Sequence, residues 1–104
     1  MVKAEDAKAI ALSLPETGEQ PHFNRTAFTA KKKIFATLCF EDKTLNLRFT
    51  PETQFIFCPP GSDVILPIPN AWGRQGWTTI HLEKANKKLV TAALKEAYKL
   101  RLAK

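Results

Sequence analysis

The sequence predicts an α+β fold, a two-layer sandwich in which a mainly antiparallel sheet carries helices on one face. Two observations predict it. Helix signals occur near both ends of the chain and once in its middle, and the residues between them alternate as strands do and connect through hairpins. The predicted order is therefore α-β-β-β-α-β-β-α. A chain of 104 residues can form one core without disulfides or metals, so residues 1–104 are predicted to be a single domain.

The first helix is predicted from Val2 to Leu14. Its apolar residues recur at i, i+3, i+4 and i+7, the spacing of one helical face. They are Ala7, Ile10, Ala11 and Leu14. Glu5 and Asp6 suit the positive N-terminal end of a helix, and Pro15 ends the helix because its ring disfavours a helical residue before it.

Three strands are predicted to follow as an antiparallel meander. A polar turn at Glu16–Gln20 leads into a first strand within Pro21–Ala30. The second strand, Ile34–Phe40, is the clearest of the protein, and the third, Thr44–Phe49, places every second residue on one apolar face. Those apolar residues are Leu45, Leu47 and Phe49. Most phenylalanines are expected in the core for the same reason.

The middle of the chain predicts a short helix and then an edge strand. Thr50 caps the helix and Pro51 opens it, since proline needs no hydrogen-bond partner at the first helical position. Cys58 and the two prolines after it end the helix. The prolines of Ser62–Asn70 cannot donate to a strand ladder, so this segment is predicted to be an edge strand or an extended loop.

The last two elements are predicted to be a strand at Trp77–Leu82 and a helix from Ala85 or Asn86 to Leu102. The helix repeats its apolar residues with helical spacing. They are Leu89, Val90, Ala93, Leu94, Ala97 and Leu100.

Both tryptophans, Trp72 and Trp77, lie in one short segment with Arg74 between Gly73 and Gly76. We call residues 72–78 the tryptophan segment. Glycine permits positive φ or a close backbone approach, so we predict a rigid approach to the last strand, with Gly76 conformationally required and Trp77 facing the core. Arg74 has two open interpretations, stacking on a neighbouring indole or binding a phosphate.

The tryptophan segment, with Lys33–Ala36 (Lys-Ile-Phe-Ala) and Leu12–Glu16 upstream, resembles the MmcQ/YjbR-like family of small bacterial proteins. The resemblance extends from about Ala4 to Tyr98 and depends on the order of short motifs. The family often has Asn, a basic residue, two further residues and Trp, whereas here Gly73 precedes the basic Arg74. The resemblance implies a compact α+β fold likened to double-wing DNA-binding domains, and it implies no established reaction.

The composition indicates a soluble basic protein. Hydrophobic residues make up 44% of the chain and charged residues 25%, as in ordinary globular domains, and no apolar run approaches the roughly 18 residues of a membrane span. We therefore expect no membrane partner and no signal peptide. Cys39 and Cys58 stand alone, which predicts free thiols in the cytoplasm rather than a disulfide or metal site.

No recognisable constellation for catalysis is present. The sequence lacks a nucleophile elbow, a Walker loop, a zinc box and a Rossmann fingerprint. His22 and His81 are far apart in sequence, and the adjacent Glu41 and Asp42 are expected to diverge on a hairpin. We expect no enzyme, no catalytic residue, no cofactor and no metal.

The net charge of +6 favours a partner that is an anion, with nucleic acid the leading candidate. At about 100° per residue, four lysines at the last helix fall within roughly 60° of one another, although any amphipathic helix also needs a solvated face. The leading hypothesis is a binding module that contacts DNA with low sequence specificity. Its candidate residues are Lys33, Arg74, Lys84, Lys88, Lys95 and Lys99.

The competing hypothesis is a module for a small ligand or a protein partner, again without catalysis. Its pocket would be walled by Trp72, Arg74 and Trp77, because an aromatic cleft with one cation suits a planar or anionic ligand. A monomer is expected under either hypothesis.

Overall fold

The computed structural model describes residues 1–103. Its four α-helices, in chain order, are α1 (Ala4–Leu12), α2 (Pro51–Phe57), α3 (Ala71–Arg74) and α4 (Lys87–Leu102). Its six strands are β1 (Thr17–His22), β2 (Arg25–Ala30), β3 (Lys33–Cys39), β4 (Thr44–Arg48), β5 (Ile65–Pro67) and β6 (Trp77–His81). A 3-10 turn at Leu82–Lys84 joins β6 to the segment before α4.

All six strands form one antiparallel sheet in the order β1-β2-β3-β4-β6-β5. The first four strands are a meander, and β6 returns between β4 and β5. The predicted α+β class and antiparallel sheet are confirmed. The structure adds one strand and one four-residue helix to the predicted order.

The main core lies between one face of the sheet and the helices α1 and α4. Leu38, Leu45 and Ile80 are fully buried on the sheet side, where they meet Val90 and Leu94 of α4. The start of α4 is fixed by Asn86, whose side-chain oxygen accepts a hydrogen bond from the backbone N–H of Leu89 at 2.8 Å. This helix therefore begins one or two residues after the predicted start and ends where the periodicity predicts.

The predicted polar turn at Glu16–Gln20 is wrong, because most of it belongs to β1. Residues Thr17–His22 pair with β2 along their whole length through backbone hydrogen bonds. A strand at the sheet edge can form in this way without apolar alternation, so the pattern that predicts inner strands is missing. Phe23 forms the hairpin tip between the two strands, with φ at 59° and 96% of its surface exposed.

An extra residue in β3 forms a β-bulge opposite β2. Phe28 pairs with Ala36 whereas Thr29 pairs with Ile34, so Phe35 has no partner in β2. Phe35 packs into the core, where its ring meets the edge of Tyr98 of α4 at 5.7 Å between centroids. The bulge leaves Ile34 on the opposite side of the sheet.

The tryptophan segment begins with a helical turn that was not predicted. The side-chain oxygen of Asn70 caps α3 by accepting a hydrogen bond from the N–H of Trp72 at 2.8 Å. A Cβ on Gly73 would overlap the carbonyl of Ile68. The predicted requirement for Gly76 is confirmed, since its φ is +115° and a Cβ there would overlap the carbonyl of Phe49.

The predicted edge strand within Ser62–Asn70 is confirmed, because β5 is the last strand of the sheet. Each edge strand contains a proline, Pro21 in β1 and Pro67 in β5. Proline has no N–H to donate and is tolerated at such edges.

The expectation that most phenylalanines lie in the core holds for only part of the set. Phe28, Phe35 and Phe49 are buried, whereas Phe23 and Phe55 are 96% and 83% exposed. Phe55 is exposed because α2 buries none of its residues fully. Both cysteines are free thiols, Cys39 buried and Cys58 half-buried.

Candidate functional site

The second face of the sheet has no layer of long helices over it. In β4, Leu45 and Leu47 point into the core, so Asn46 and Arg48 point the other way. In β6 the same alternation directs Trp77 away from the core, opposite Arg48 across the two strands. We call this second side the open face.

A cleft of about 540 Å³ occupies the open face. The inner strands form its floor, α3 and the residues before it form one wall, and the last turn of α4 reaches its end. Within residues 1–103, no acidic side chain lines it. The lining residues are His22, Arg25, Ile34, Thr37, Asn46, Arg48, Ile68, Asn70, Trp72, Gln75, Trp77 and Arg101.

Arg25 is a structural cation on this face. Its guanidinium donates to the hydroxyl of Thr37 at 2.9 Å and the carbonyl of Thr44 at 2.8 Å. Two longer bonds reach the Thr37 carbonyl and the Thr44 hydroxyl, both at 3.1 Å. Burial lowers the pKa of Arg25, while the nearby Cys39 and Asp42 raise it. This side chain therefore fastens the strands β3 and β4 together more than it offers donors to a ligand.

Among residues 1–103, Arg48 and Arg101 are the cations of the cleft lining that remain available to a ligand. Arg48 is exposed at the end of β4, and Arg101 is half-buried in the last turn of α4. Burial lowers the pKa of the Arg101 guanidinium, and the charge of Arg48 lowers it further. Both side chains also line an adjoining groove with Lys31 and Lys33. A basic surface therefore continues from the cleft to the β2–β3 turn.

The two tryptophans line the same cleft, but neither lies in the core. Trp72 is 59% exposed and Trp77 is half-buried. The prediction that Trp77 faces the core is wrong because its neighbours Thr78 and Ile80 take the inward positions of β6. Successive residues of a strand face opposite sides, so the inward Thr78 and Ile80 leave Trp77 on the open face although the strand begins where predicted.

The predicted pocket residues are brought together only in part. Trp72 and Trp77 share the cleft, whereas Arg74 is exposed at the end of α3 and is absent from the cleft lining. Within the described part of the chain, Arg48 and Arg101 provide the cationic side that Arg74 was expected to provide.

The predicted lysine stripe is also divided. Lys84 lies in the 3-10 turn before α4 rather than on the helix, and it forms an ion pair with Asp63 at 3.1 Å. Lys88 and Lys95 share a shallow surface on the outer side of α4, and Lys99 is exposed in its last turn. Lys33 is separate from all of these, in the groove beside Arg48 and Arg101.

Sequence reasoning missed the roles of Arg25, Arg48 and Arg101. For Arg48 a signal exists, because the alternation of β4 gives a wholly polar second side that includes Asn46. A polar side on an inner strand indicates a face without a covering layer. Arg101 carries no comparable signal, since its approach to β4 depends on the angle at which α4 crosses the sheet.

The position of Trp77 leads to a testable prediction. Trp77→Ala should destabilise the protein by about 1–2 kcal/mol, because a half-buried ring loses only part of the 3–5 kcal/mol expected for a fully buried one. Urea unfolding measures the difference. Ile80→Ala on the same strand is the control, with an expected loss of about 2–5 kcal/mol. Equal or larger destabilisation by Trp77→Ala would contradict the placement of Trp77 on the open face.

These features define a small α+β domain whose sheet is covered by long helices on one face only. The family model YjbR matches residues 12–100, and the chain belongs to this family, as the sequence resemblance predicts. The search of curated proteins gave no match.

A solved structure supports the fold. The protein is similar to the crystal structure of Deinococcus radiodurans protein DR2400, which contains a DUF419 domain, with a TM-score of 0.82 and 20% sequence identity. The similarity covers 100% of this chain and 81% of that chain. At this level of identity the likeness concerns the fold alone.

Among residues 1–103, no helix is long and apolar enough to cross a membrane. No group of three or more His, Cys, Asp or Glu side chains within the same range is placed to hold a metal ion.

Proposed function

We propose that this protein is a non-catalytic binding module for single-stranded nucleic acid with low sequence specificity. One observation carries the proposal. The open face combines two accessible tryptophans with the cations Arg48 and Arg101, and no acidic side chain among residues 1–103 lines the cleft that they share. Proteins that bind single strands combine aromatic platforms for bases with a positive groove for the backbone.

The aromatic groups support the binding of bases. Trp72 exposes 59% of its surface beside the cleft, although an indole of this size favours burial. Phe23 stands at the tip of the β1–β2 hairpin, next to His22 in the cleft wall. Bases within a duplex are stacked on each other, so a tryptophan can stack on a base only where the strand is single or opened.

The charges support the binding of phosphates without sequence readout. Guanidinium groups bind phosphate oxygens in a forked geometry, and such contacts position a strand but carry no base information. Every base also presents a π-face to a tryptophan. Low specificity therefore follows from the residue types on the open face. The free thiols of Cys39 and Cys58 suit a reducing compartment, and we propose a cytoplasmic location on that ground.

The lining of the cleft supports a second candidate function, the binding of a small planar anion such as a mononucleotide, because two indoles and two guanidinium groups border the same cleft. About 540 Å³ falls within the roughly 300–1,000 Å³ of small-molecule pockets. The two candidates share their contacts and differ in ligand length. A single strand should continue past the cleft towards Lys33, whereas a small ligand should end within it.

Tryptophan fluorescence tests the proposal. An oligothymidylate of roughly 12 nucleotides, within the range of about 4–16 per small domain, should quench the emission and bind more tightly than the duplex form. The logarithm of the affinity should fall with that of the salt concentration, with a slope of about −0.7 per phosphate contact. Trp72→Phe and Trp77→Phe, measured singly, separate the contributions of the two indoles.

Two results would count against this function. Tight, saturable binding of a mononucleotide with no gain from a longer strand would favour the small-ligand candidate. Absence of any salt-dependent binding to single or double strands at low ionic strength would remove nucleic acid altogether.

A further inference from the structure

Arg48 and Arg101 reach the same place from opposite layers of the protein. Arg48 ends β4 on the open face, and Arg101 extends from the last turn of α4, whose buried side packs on the other face of the sheet. Both side chains line the cleft and the adjoining groove, and the charge of Arg48 contributes to the lowered pKa of Arg101. The two guanidinium groups therefore form a pair at the end of the sheet.

One hydrogen-bond donor of this pair has no partner within the described residues. The Nε of Arg101 is buried from solvent and has no hydrogen-bond partner among residues 1–103. A buried N–H without an acceptor is unfavourable, and the cost is greater for a charged group. Most buried polar groups in folded proteins are satisfied, so this N–H is a donor that the contacts among residues 1–103 leave unexplained.

No carboxylate within the described residues neutralises the pair. The three ion pairs of residues 1–103 lie elsewhere and involve Lys8 with Glu19, Lys43 with Glu83, and Lys84 with Asp63. The groove beside the pair adds Lys31 and Lys33 and, in the same range, no acidic residue. Two like charges held together without a counterion among residues 1–103 create a local potential that attracts an anion. The C-terminal end of α4 favours a cation at Arg101 and helps to keep it in place.

We infer that Arg48 and Arg101 form a binding site for a dianionic phosphoryl group, either the terminal phosphate of a nucleic acid or a free phosphate monoester. A monoester carries close to two negative charges and three strong acceptor oxygens, which match two cations and several N–H donors. An internal phosphodiester carries one charge. If the site binds the end of a nucleic-acid strand, the inference rests on the proposed function. If the site binds a free phosphate monoester, the inference can be tested independently of that function.

The decisive comparison uses one oligothymidylate with a 5′-phosphate and the same oligonucleotide with a 5′-hydroxyl. We expect the phosphorylated strand to bind about tenfold more tightly, which corresponds to roughly 1.4 kcal/mol. Inorganic phosphate alone should raise the melting temperature and compete with the phosphorylated strand, with chloride at equal ionic strength as the control. The affinity for a 3′-phosphorylated strand shows whether the site binds a phosphate at either end of the strand or only at the 5′ end.

Matched variants in the last turn of α4 test whether Arg101 binds the phosphoryl group. Arg101→Gln and Lys99→Gln each remove one cation from the same turn of α4. The affinity ratio of phosphorylated to hydroxyl strand should fall to about one in Arg101→Gln and stay near ten in Lys99→Gln, because an oxyanion loses its hydrogen bonds only in the former. Arg101→Lys keeps the charge without the planar guanidinium fork and should also lose the preference. Melting temperatures of all three variants exclude a general loss of folding.

The outcomes separate the two proposals. Equal affinity of the unmodified protein for both strands would overturn the phosphoryl site and leave the proposed function standing. Stabilisation by inorganic phosphate that depends on Arg101, without binding of any oligonucleotide, would support the site as one for free phosphate monoesters and remove the proposed function. If neither phosphate nor oligonucleotide binds, both are wrong.

Discussion

Gly76→Ala is expected to destabilise the protein by about 3–5 kcal/mol, since it combines a disfavoured backbone conformation with a steric overlap. The residue has φ at +115°, and its added Cβ would overlap the carbonyl of Phe49. That carbonyl cannot move freely, because the N–H of Phe49 donates to the Gly76 carbonyl at 3.2 Å. Urea unfolding with full extrapolation to water measures the change, a large share of the stability of a small domain.

Gly61→Ala provides a matched control for the steric part of this effect. Gly61 also has a positive φ, +77°, but no atom lies within 4 Å of an added Cβ. Its substitution should therefore cost only about 1 kcal/mol of backbone strain. If Gly76→Ala and Gly61→Ala destabilise the protein equally, the close approach of Gly76 to the Phe49 carbonyl is not the reason why glycine is needed at position 76.

The second large effect is expected on binding. Arg48→Glu should weaken the binding of single-stranded DNA by about 30- to 1,000-fold, or roughly 2–4 kcal/mol. It removes a forked phosphate contact and places beside Arg101 a carboxylate that repels the phosphates of the strand. Stability should change by only about 0–1 kcal/mol, since Arg48 is exposed. Fluorescence titration at one fixed salt concentration measures the affinity.

Lys88→Glu is the matched control for Arg48→Glu. It makes the same change of charge at an exposed position on the outer side of α4. We expect a loss of less than about threefold, because charges farther than a Debye length of roughly 8–10 Å are largely screened. A greater loss for Lys88→Glu than for Arg48→Glu would show that the helix lysines form the interface, as the charge pattern of the sequence suggested.

The helices and strands that bury a regularly spaced set of apolar residues could be predicted from the sequence. The last helix is an example, since its apolar spacing and the Asn86 cap predict nearly the observed bounds. β4 is another, since its alternating leucines determine which side enters the core. In both cases local pattern and tertiary packing favour the same structure, which is what makes a short sequence informative.

The parts that depend on tertiary geometry could not be predicted in this way. β1 lacks an apolar side because it is an edge strand held by backbone pairing with β2. For Trp77 the sequence predicts the wrong face, because a large indole favours burial whereas Thr78 and Ile80 occupy the inward positions of β6. Arg101 lies 53 positions after Arg48, and only the crossing of α4 over the sheet brings them together.

The prolines of the two outer strands have a consequence for self-association. An exposed strand edge is a template on which another chain can add a strand, and this is a common route to fibrous aggregates. Pro21 and Pro67 remove a donor from each end of the sheet, so a neighbouring molecule cannot continue the hydrogen-bond ladder without a gap. The sheet can thus leave one broad surface unshielded while its borders resist polymerisation.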